Sequence, residues 1–247
     1  MVFRVAFDLD GVLADLDRGL LDLATRLFGS VEFEPARPAD SPTGSGIDPG
    51  AGSGVDSAAG GEGGPAVPVP ARMRLSRAQQ RLLWDAARET ENFWETLPEL
   101  EDGAVARLAG LATERGWEVV FLTQRPASAG DTVQLQSQRW LVEQGFPLPS
   151  VFVVSGSRGQ VAAALALDAV VDDREDNCLD VAAESGAKAI LIWRDDPPAL
   201  DELVARRGIA IVRSVAECLQ ALVLLDDRAA TKPGVIDKLR SLFRPKA

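Results

Sequence analysis

The sequence predicts a doubly wound α/β fold, with a mostly parallel sheet and helices on both of its faces. Three observations carry this expectation. From Trp117 onward, short apolar runs rich in β-branched residues alternate with stretches of helical periodicity, the pattern of strand–helix–strand units. Three apolar runs end in polar groups: Asp8 to Asp10, Thr123 to Arg125, and Asp172 to Arg174. The chain has 247 residues, 46% of them hydrophobic, enough for one large domain or one domain with an insertion.

The first strand is the run Val2 to Phe7, with Arg4 its only charge. It leads into Asp8-Leu9-Asp10-Gly11-Val12. Side chains alternate along a strand, so Asp8 and Asp10 share a side if the strand continues, while Gly11 marks a turn. Acids at the carboxyl end of a buried strand lie where open α/β sheets bind ligands. Charge there is costly unless compensated, and a divalent cation compensates it. The plain alternative is that Asp8 caps a helix and Asp10 is solvated in a turn.

Leu16 to Phe28 has apolar residues at helical spacing, with Gly29 as its stop. From about 35 to 70 the chain turns rich in Gly, Pro and Ser and reads as a flexible loop. Its glycines match no phosphate-cradling pattern. Ser76 to Glu91 is predicted helical, with Ser76 and Gln79 as a capping box. Phe93 and Trp94 read as core or hinge packing in preference to substrate stacking. The span 15–98 is thus expected to be a small helical insertion, and 1–14 with 99–247 the α/β core.

In the core, Asp102 to Arg115 is a helix, and Trp117 to Leu122 a strand running into Thr123-Gln124-Arg125-Pro126. A hydroxyl followed by an arginine at a strand end suits a phosphate; equally, Thr123 caps a turn forced by Pro126. Thr132 to Gln144 is a helix, Ser150 to Val154 a strand, and Gln160 to Leu167 a helix after the loop holding Arg158. Ala169 to Val171 is a strand ending in Asp172 and Asp173, either of which also suits capping of a helix over 177–185. Lys188 to Trp193 and Gly208 to Val212 are strands. Ala199 to Arg206, Ser214 to Leu225 and Pro233 to Phe243 are helices. Asp226-Asp227-Arg228 reads as a solvated helix end.

Net charge is −11, which argues against nucleic-acid and anionic-membrane partners. Histidine and tyrosine are absent, so acid–base work falls on carboxylates, Lys, Cys or water. Two cysteines, Cys178 and Cys218, form no disulfide framework. No signal peptide or transmembrane run is visible, so the expectation is a soluble cytoplasmic protein.

In their order along the chain, Asp8-Leu9-Asp10-Gly11-Val12, the strand ending in Thr123, and the strand ending in Asp172-Asp173 resemble the motifs of the haloacid dehalogenase-like hydrolases. Phe93-Trp94 and Asp172-Asp173-Arg174 look closest to the deoxyribonucleotidase-like branch. The resemblance implies a Rossmann-like core with a cap inserted after the first motif. It implies a Mg²⁺-dependent phosphatase acting on a small phosphorylated metabolite or nucleotide, such as a 5'-nucleotidase. In that scheme Asp8 is the nucleophile and Asp10 the general acid and base. Mg²⁺ is held by Asp8, the Asp10 carbonyl and Asp173 or Asp172. Thr123, Gln124 and Arg125 serve the phosphoryl group. The family places a lysine where this chain has Arg158. Either Arg158 performs that task, or it is a solvated helix-start residue and the protein binds a phosphorylated ligand with little turnover.

Overall fold

Among the described residues, six parallel strands form one sheet in the order β3-β2-β1-β4-β5-β6. The structure is a computed structural model and describes residues 2–31, 73–194 and 207–231. The strands are β1 Arg4–Asp8, β2 Glu118–Thr123, β3 Ser150–Val153, β4 Ala169–Asp172, β5 Lys188–Ile192 and β6 Ala210–Val212. The helices are α1 Leu16–Phe28, α2 Arg77–Glu89, α3 Ala104–Arg115, α4 Val133–Glu143, α5 Arg158–Ala164, α6 Glu175–Glu184 and α7 Val215–Thr231, with a 3₁₀ turn at Phe93–Glu95.

Alternation along each strand splits the core into two layers. Phe7, Phe121, Val171 and Ile190 pack on one face with α1, α2, α3, α4 and α7. Ala6, Leu122, Val170 and Leu191 pack on the other with α5 and α6. The sheet is therefore doubly wound, as expected. Every residue of β4 is buried, which suits a central parallel strand covered on both faces.

Several elements form for local reasons. Ser76 and Gln79 make a reciprocal capping box: Ser76 N–H donates to Gln79 Oε1 at 3.0 Å, and Gln79 N–H to Ser76 Oγ at 3.3 Å. Phe93 and Trp94 are buried and meet edge to face at 5.1 Å, so they are core residues. Leu20 and Leu23 of α1 and Leu83 and Trp84 of α2 belong to the same apolar cluster as the sheet.

Two expectations are corrected. The helix expected over Ser214 to Leu225 does not stop at Leu225; α7 continues through Asp226 and Asp227 to Thr231. Both acids have partners: Asp226, partly buried, accepts from Trp117 Nε1 at 2.9 Å, while Asp227 stays exposed to solvent, as expected, and accepts from Arg115 Nη1 at 2.6 Å. The helix expected from Gln160 starts earlier, at Arg158, because Ser157 Oγ accepts from the N–H groups of Gly159 and Gln160 at 3.1 and 3.3 Å. The loop over 35–70 and the helices over 199–206 and 233–243 lie outside the described residues. Among the described residues no helix is long and apolar enough to cross a membrane.

Candidate active site

Strand order reverses at β1: β2 lies on one side and β4 on the other. The carboxyl end of β1 is thus a topological switch point, where ligands enter open α/β sheets. Phe7 pairs with Val171, bringing Asp8 level with Asp172, while Thr123 closes β2 next door. After β1 the chain folds back tightly. The N–H groups of Leu13 and Ala14 donate to Leu9 C=O at 2.8 and 2.7 Å, and Gly11 N–H donates to Ala14 C=O at 3.0 Å. Gly11 has φ +80°, and a Cβ there would overlap the Asp173 carboxylate. Only glycine meets both demands.

Asp8 is buried, and Arg158 Nη2 donates to its Oδ1 at 2.8 Å. Arg158 Nε lies 3.7 Å from Asp172 Oδ2. The Arg158 side chain is 3% exposed, and its Nη1 is buried with no partner among the described residues. The solvated helix-start reading of this residue therefore does not hold. Asp172 is held by its own strand-to-helix turn: it accepts from Arg174 N–H at 2.9 Å and from Asn177 Nδ2 at 3.0 and 2.9 Å. The residue before α6 is Arg174 and makes no side-chain cap, so neither acid caps that helix.

This cluster is electrostatically crowded. Burial, then the neighbouring Asp172, pushes the Asp8 carboxyl well above its ordinary value, against the pull of Arg158. Burial also raises Asp172, with its bonds from Asn177 and Arg174 opposing. Asp173 is pushed up to about 7 by burial and then by Asp172. Two carboxylates in one poorly hydrated place disfavour each other's ionised form.

Asp10 faces a second arginine. Arg125 Nε donates to Asp10 Oδ1 and Oδ2 at 3.0 and 2.9 Å, and Nη2 donates to Oδ1 at 2.7 Å. Arg125 Nη1 donates to Ser137 Oγ at 2.9 Å, and the guanidinium lies 4.9 Å from the Trp94 ring centre. Thr123 is fully buried, and its Oγ1 accepts from Arg125 N–H at 3.4 Å, the contact that the turn-capping alternative calls for. Gln124 is half-buried beside it.

The structure thus gathers Asp8, Arg158, Asp172 and Asp173 on one side and Asp10 with Arg125 on the other. Arg125 is turned toward Asp10, with every one of its nitrogens engaged, and not toward open space. Three contributors escaped the sequence reading. Asn177 orients Asp172, and Ser137 orients Arg125. Arg194 donates to the carbonyls of Gly11 and Val12 at 2.6 and 3.4 Å, and to Glu101 at 2.9 Å. An amide one turn into a helix after two acids was the available signal for Asn177; Arg194 had none, because its partners are remote in sequence. Cys178 and Cys218 are buried and free, with burial pushing both thiols up, so neither supplies a thiolate.

The carboxylates grouped at Asp8 (Asp172, Asp173 and Asp10) offer oxygen ligands, which suit a hard cation such as Mg²⁺. The excess of buried carboxylate over guanidinium there also fits a cation. Among the described residues no three acidic or thiol side chains converge on one point. A set of two carboxylates and a backbone carbonyl does not require that they should.

No family model matches the chain. No curated protein sequence matches it either. Solved structures do resemble it. A haloacid dehalogenase family hydrolase from Deinococcus radiodurans, with bound phosphate and sodium, is 16% identical with a TM-score of 0.48, covering 91% of this chain and 96% of its own. A haloacid dehalogenase-like family hydrolase from Xanthomonas campestris is 14% identical at 0.47, covering 94% and 99%. One from Streptococcus pneumoniae is 13% identical at 0.47, covering 89% and 98%. Likeness at this level carries no argument about chemistry, which rests on the site itself.

Proposed function

We propose that the chain is a Mg²⁺-dependent phosphatase of the haloacid dehalogenase type. It hydrolyses a small phosphomonoester in the cytoplasm, and a nucleoside 5'-monophosphate fits the deoxyribonucleotidase-like resemblance. The observation that carries this reading is Arg158. One of its nitrogens holds the buried Asp8, and another is buried with no partner among the described residues. An orphaned cationic donor is costly, and a phosphoryl oxygen beside Asp8 would satisfy it.

In this reading an Asp8 oxygen attacks phosphorus, and the bond to the leaving oxygen breaks as Asp10 protonates that oxygen. Water then attacks the aspartyl-phosphate, gives its proton to Asp10, and frees Asp8 and inorganic phosphate. Thr123 and Gln124 bind phosphoryl oxygens, and Arg158 carries the charge of the family's lysine. When bound, Mg²⁺ offsets the repulsion between carboxylate and phosphate. Asp8, the Asp10 carbonyl and Asp173 would hold it. Asp173 is preferred to Asp172 because both oxygens of Asp172 are already engaged by Asn177.

A second reading, a phosphate-ligand-binding protein with weak turnover, has one observation in its favour: Arg125 engages both oxygens of Asp10. Release of inorganic phosphate from a panel of phosphomonoesters, with Mg²⁺ and with chelator, separates the two. Metal-dependent turnover is expected. Turnover that survives exhaustive chelation overturns the metal site; phosphate binding without turnover on the whole panel supports the second reading.

A further inference from the structure

An arginine that binds a phosphate presents free N–H groups to a crevice. Arg125 does not. Its side chain is 0% exposed, while the Asp10 side chain it grips is 18% exposed. Nε and Nη2 go to Asp10, and Nη1 goes to Ser137 of α4. The guanidinium lies near Trp94, whose Nε1 donates to Pro126 C=O at 3.0 Å and whose N–H donates to Gln136 Oε1 at 3.2 Å. The loop after β2, the 3₁₀ turn and α4 therefore fix this guanidinium from three directions.

The effect falls on Asp10. The terminal torsion of an aspartate is broad, so an ungripped carboxylate samples many orientations. A planar fork on both oxygens removes that freedom. A carboxyl group has about four lone-pair sites, so the fork leaves the 18% exposed outer side of Asp10 able to carry the proton that a general acid gives up.

We infer that Arg125 is a positioning residue for Asp10 and not a phosphate ligand. It holds the carboxyl group so that the proton carried on its outer side faces the leaving oxygen, with Ser137 setting the guanidinium in turn. The inference rests on the phosphatase reading, with Asp10 as the proton donor.

Leaving-group dependence tests it. An alkyl phosphate expels a poor leaving group that needs its proton in the transition state. p-Nitrophenyl phosphate expels a stable phenolate that needs it far less. The ratio kcat/KM reports the first phosphoryl transfer, so it isolates the step in which Asp10 acts as acid. In the full-length protein with Mg²⁺, Arg125→Lys should lower kcat/KM on glycerol phosphate by ~10²-fold, the scale of a misplaced catalytic group. On p-nitrophenyl phosphate the loss should be only a few-fold, with inhibition by inorganic phosphate unchanged. Ser137→Ala should move the same ratio in the same direction by less, and it carries the test if the arginine variant does not fold. Equal losses on both substrates with weakened phosphate inhibition make Arg125 a phosphate ligand and overturn the inference. Unchanged kinetics in both variants overturn it as well. Each of these outcomes leaves the phosphatase reading standing. A wild-type protein that turns over neither substrate overturns that reading, and this inference with it.

Discussion

Arg125 and Arg158 each meet an aspartate at the carboxyl end of the sheet, Arg125 just after β2 and Arg158 at the start of α5, and both are buried. Arg125 is closed: Asp10 takes two of its nitrogens and Ser137 the third. Arg158 is open: Asp8 takes one nitrogen, Asp172 lies 3.7 Å from a second, and the third has no partner among the described residues. A buried ion pair is weak evidence for stability, since desolvation rivals attraction. Satisfaction is the more informative quantity. A closed pair orients what it holds, whereas an open one has capacity left for a ligand.

The sharpest way to break the comparison is Asp8→Asn. On the phosphatase reading it removes the nucleophile with little change of shape, and turnover should fall by at least ~10³-fold. Stability should rise, because burial and Asp172 both oppose the charged form of Asp8. Phosphate release and thermal unfolding on the same preparation check both halves. Retained turnover removes Asp8 from its role.

Arg158→Ala should follow, with turnover reduced ~10²-fold or more and binding of inorganic phosphate lost, as when a preorganised donor to developing charge is removed. Arg158→Lys should keep much of both, since the charge remains while the fork is lost. Isothermal titration with phosphate reads this directly. If Arg158→Ala binds phosphate as wild type does, the open nitrogen is not a ligand site.

How much of this the sequence revealed follows from distance along the chain. The strands and helices rest on local periodicity and local caps, and α1 matches its expected limits at Leu16 and Phe28. Asp8, Thr123 and Asp172 were readable because each ends an apolar run. The targets of the arginines were not. Arg125 reaches a residue 115 positions away and Arg158 one 150 positions away, and no local pattern encodes either. The assignment of Arg125 to phosphate rested on its residue type, its place just after a strand end and the family resemblance; in the structure its neighbours are Asp10, Ser137 and Trp94. The fate of Asp226 and Asp227 was hidden for the same reason, since Arg115 and Trp117 lie more than 100 residues away.

The open side should also be pH-sensitive. Asp173 has a folded value of about 7 against 3.8 for the free group, so the folded state binds the extra proton between those values. Its contribution is fully present below about 3.8 and is lost as pH rises through about 7. Asp8, raised in the same sense, adds to the trend. Without metal, stability contributed by this cluster should fall from acidic to neutral pH. Added Mg²⁺ should raise the melting temperature more at pH 8 than at pH 5, because the cation competes with protons for the same carboxylates. Melting curves across that range, with Mg²⁺ and with chelator, check the sign. A Mg²⁺ effect that shrinks as pH rises contradicts it.

The smallest expected effect lies at Asn177, which decides how far Arg158 is shared. Its amide donates to both oxygens of Asp172, leaving that carboxylate only partly dependent on the guanidinium. In Asn177→Ala, Asp172 keeps the Arg174 N–H but loses the amide. The direct cost should be about 1 kcal/mol, the net worth of a hydrogen bond, and more if the carboxylate stays unsatisfied. Asp172 should then draw Arg158 toward itself and away from Asp8, closing the nitrogen that is now free. Phosphate affinity should drop by a few-fold, while the Arg125 side, which shares no partner with Asn177, keeps its leaving-group ratio unchanged. Titration with phosphate and the two-substrate comparison read the two sides separately. A changed ratio on the Arg125 side would mean that the two pairs are coupled and do not act as separate devices.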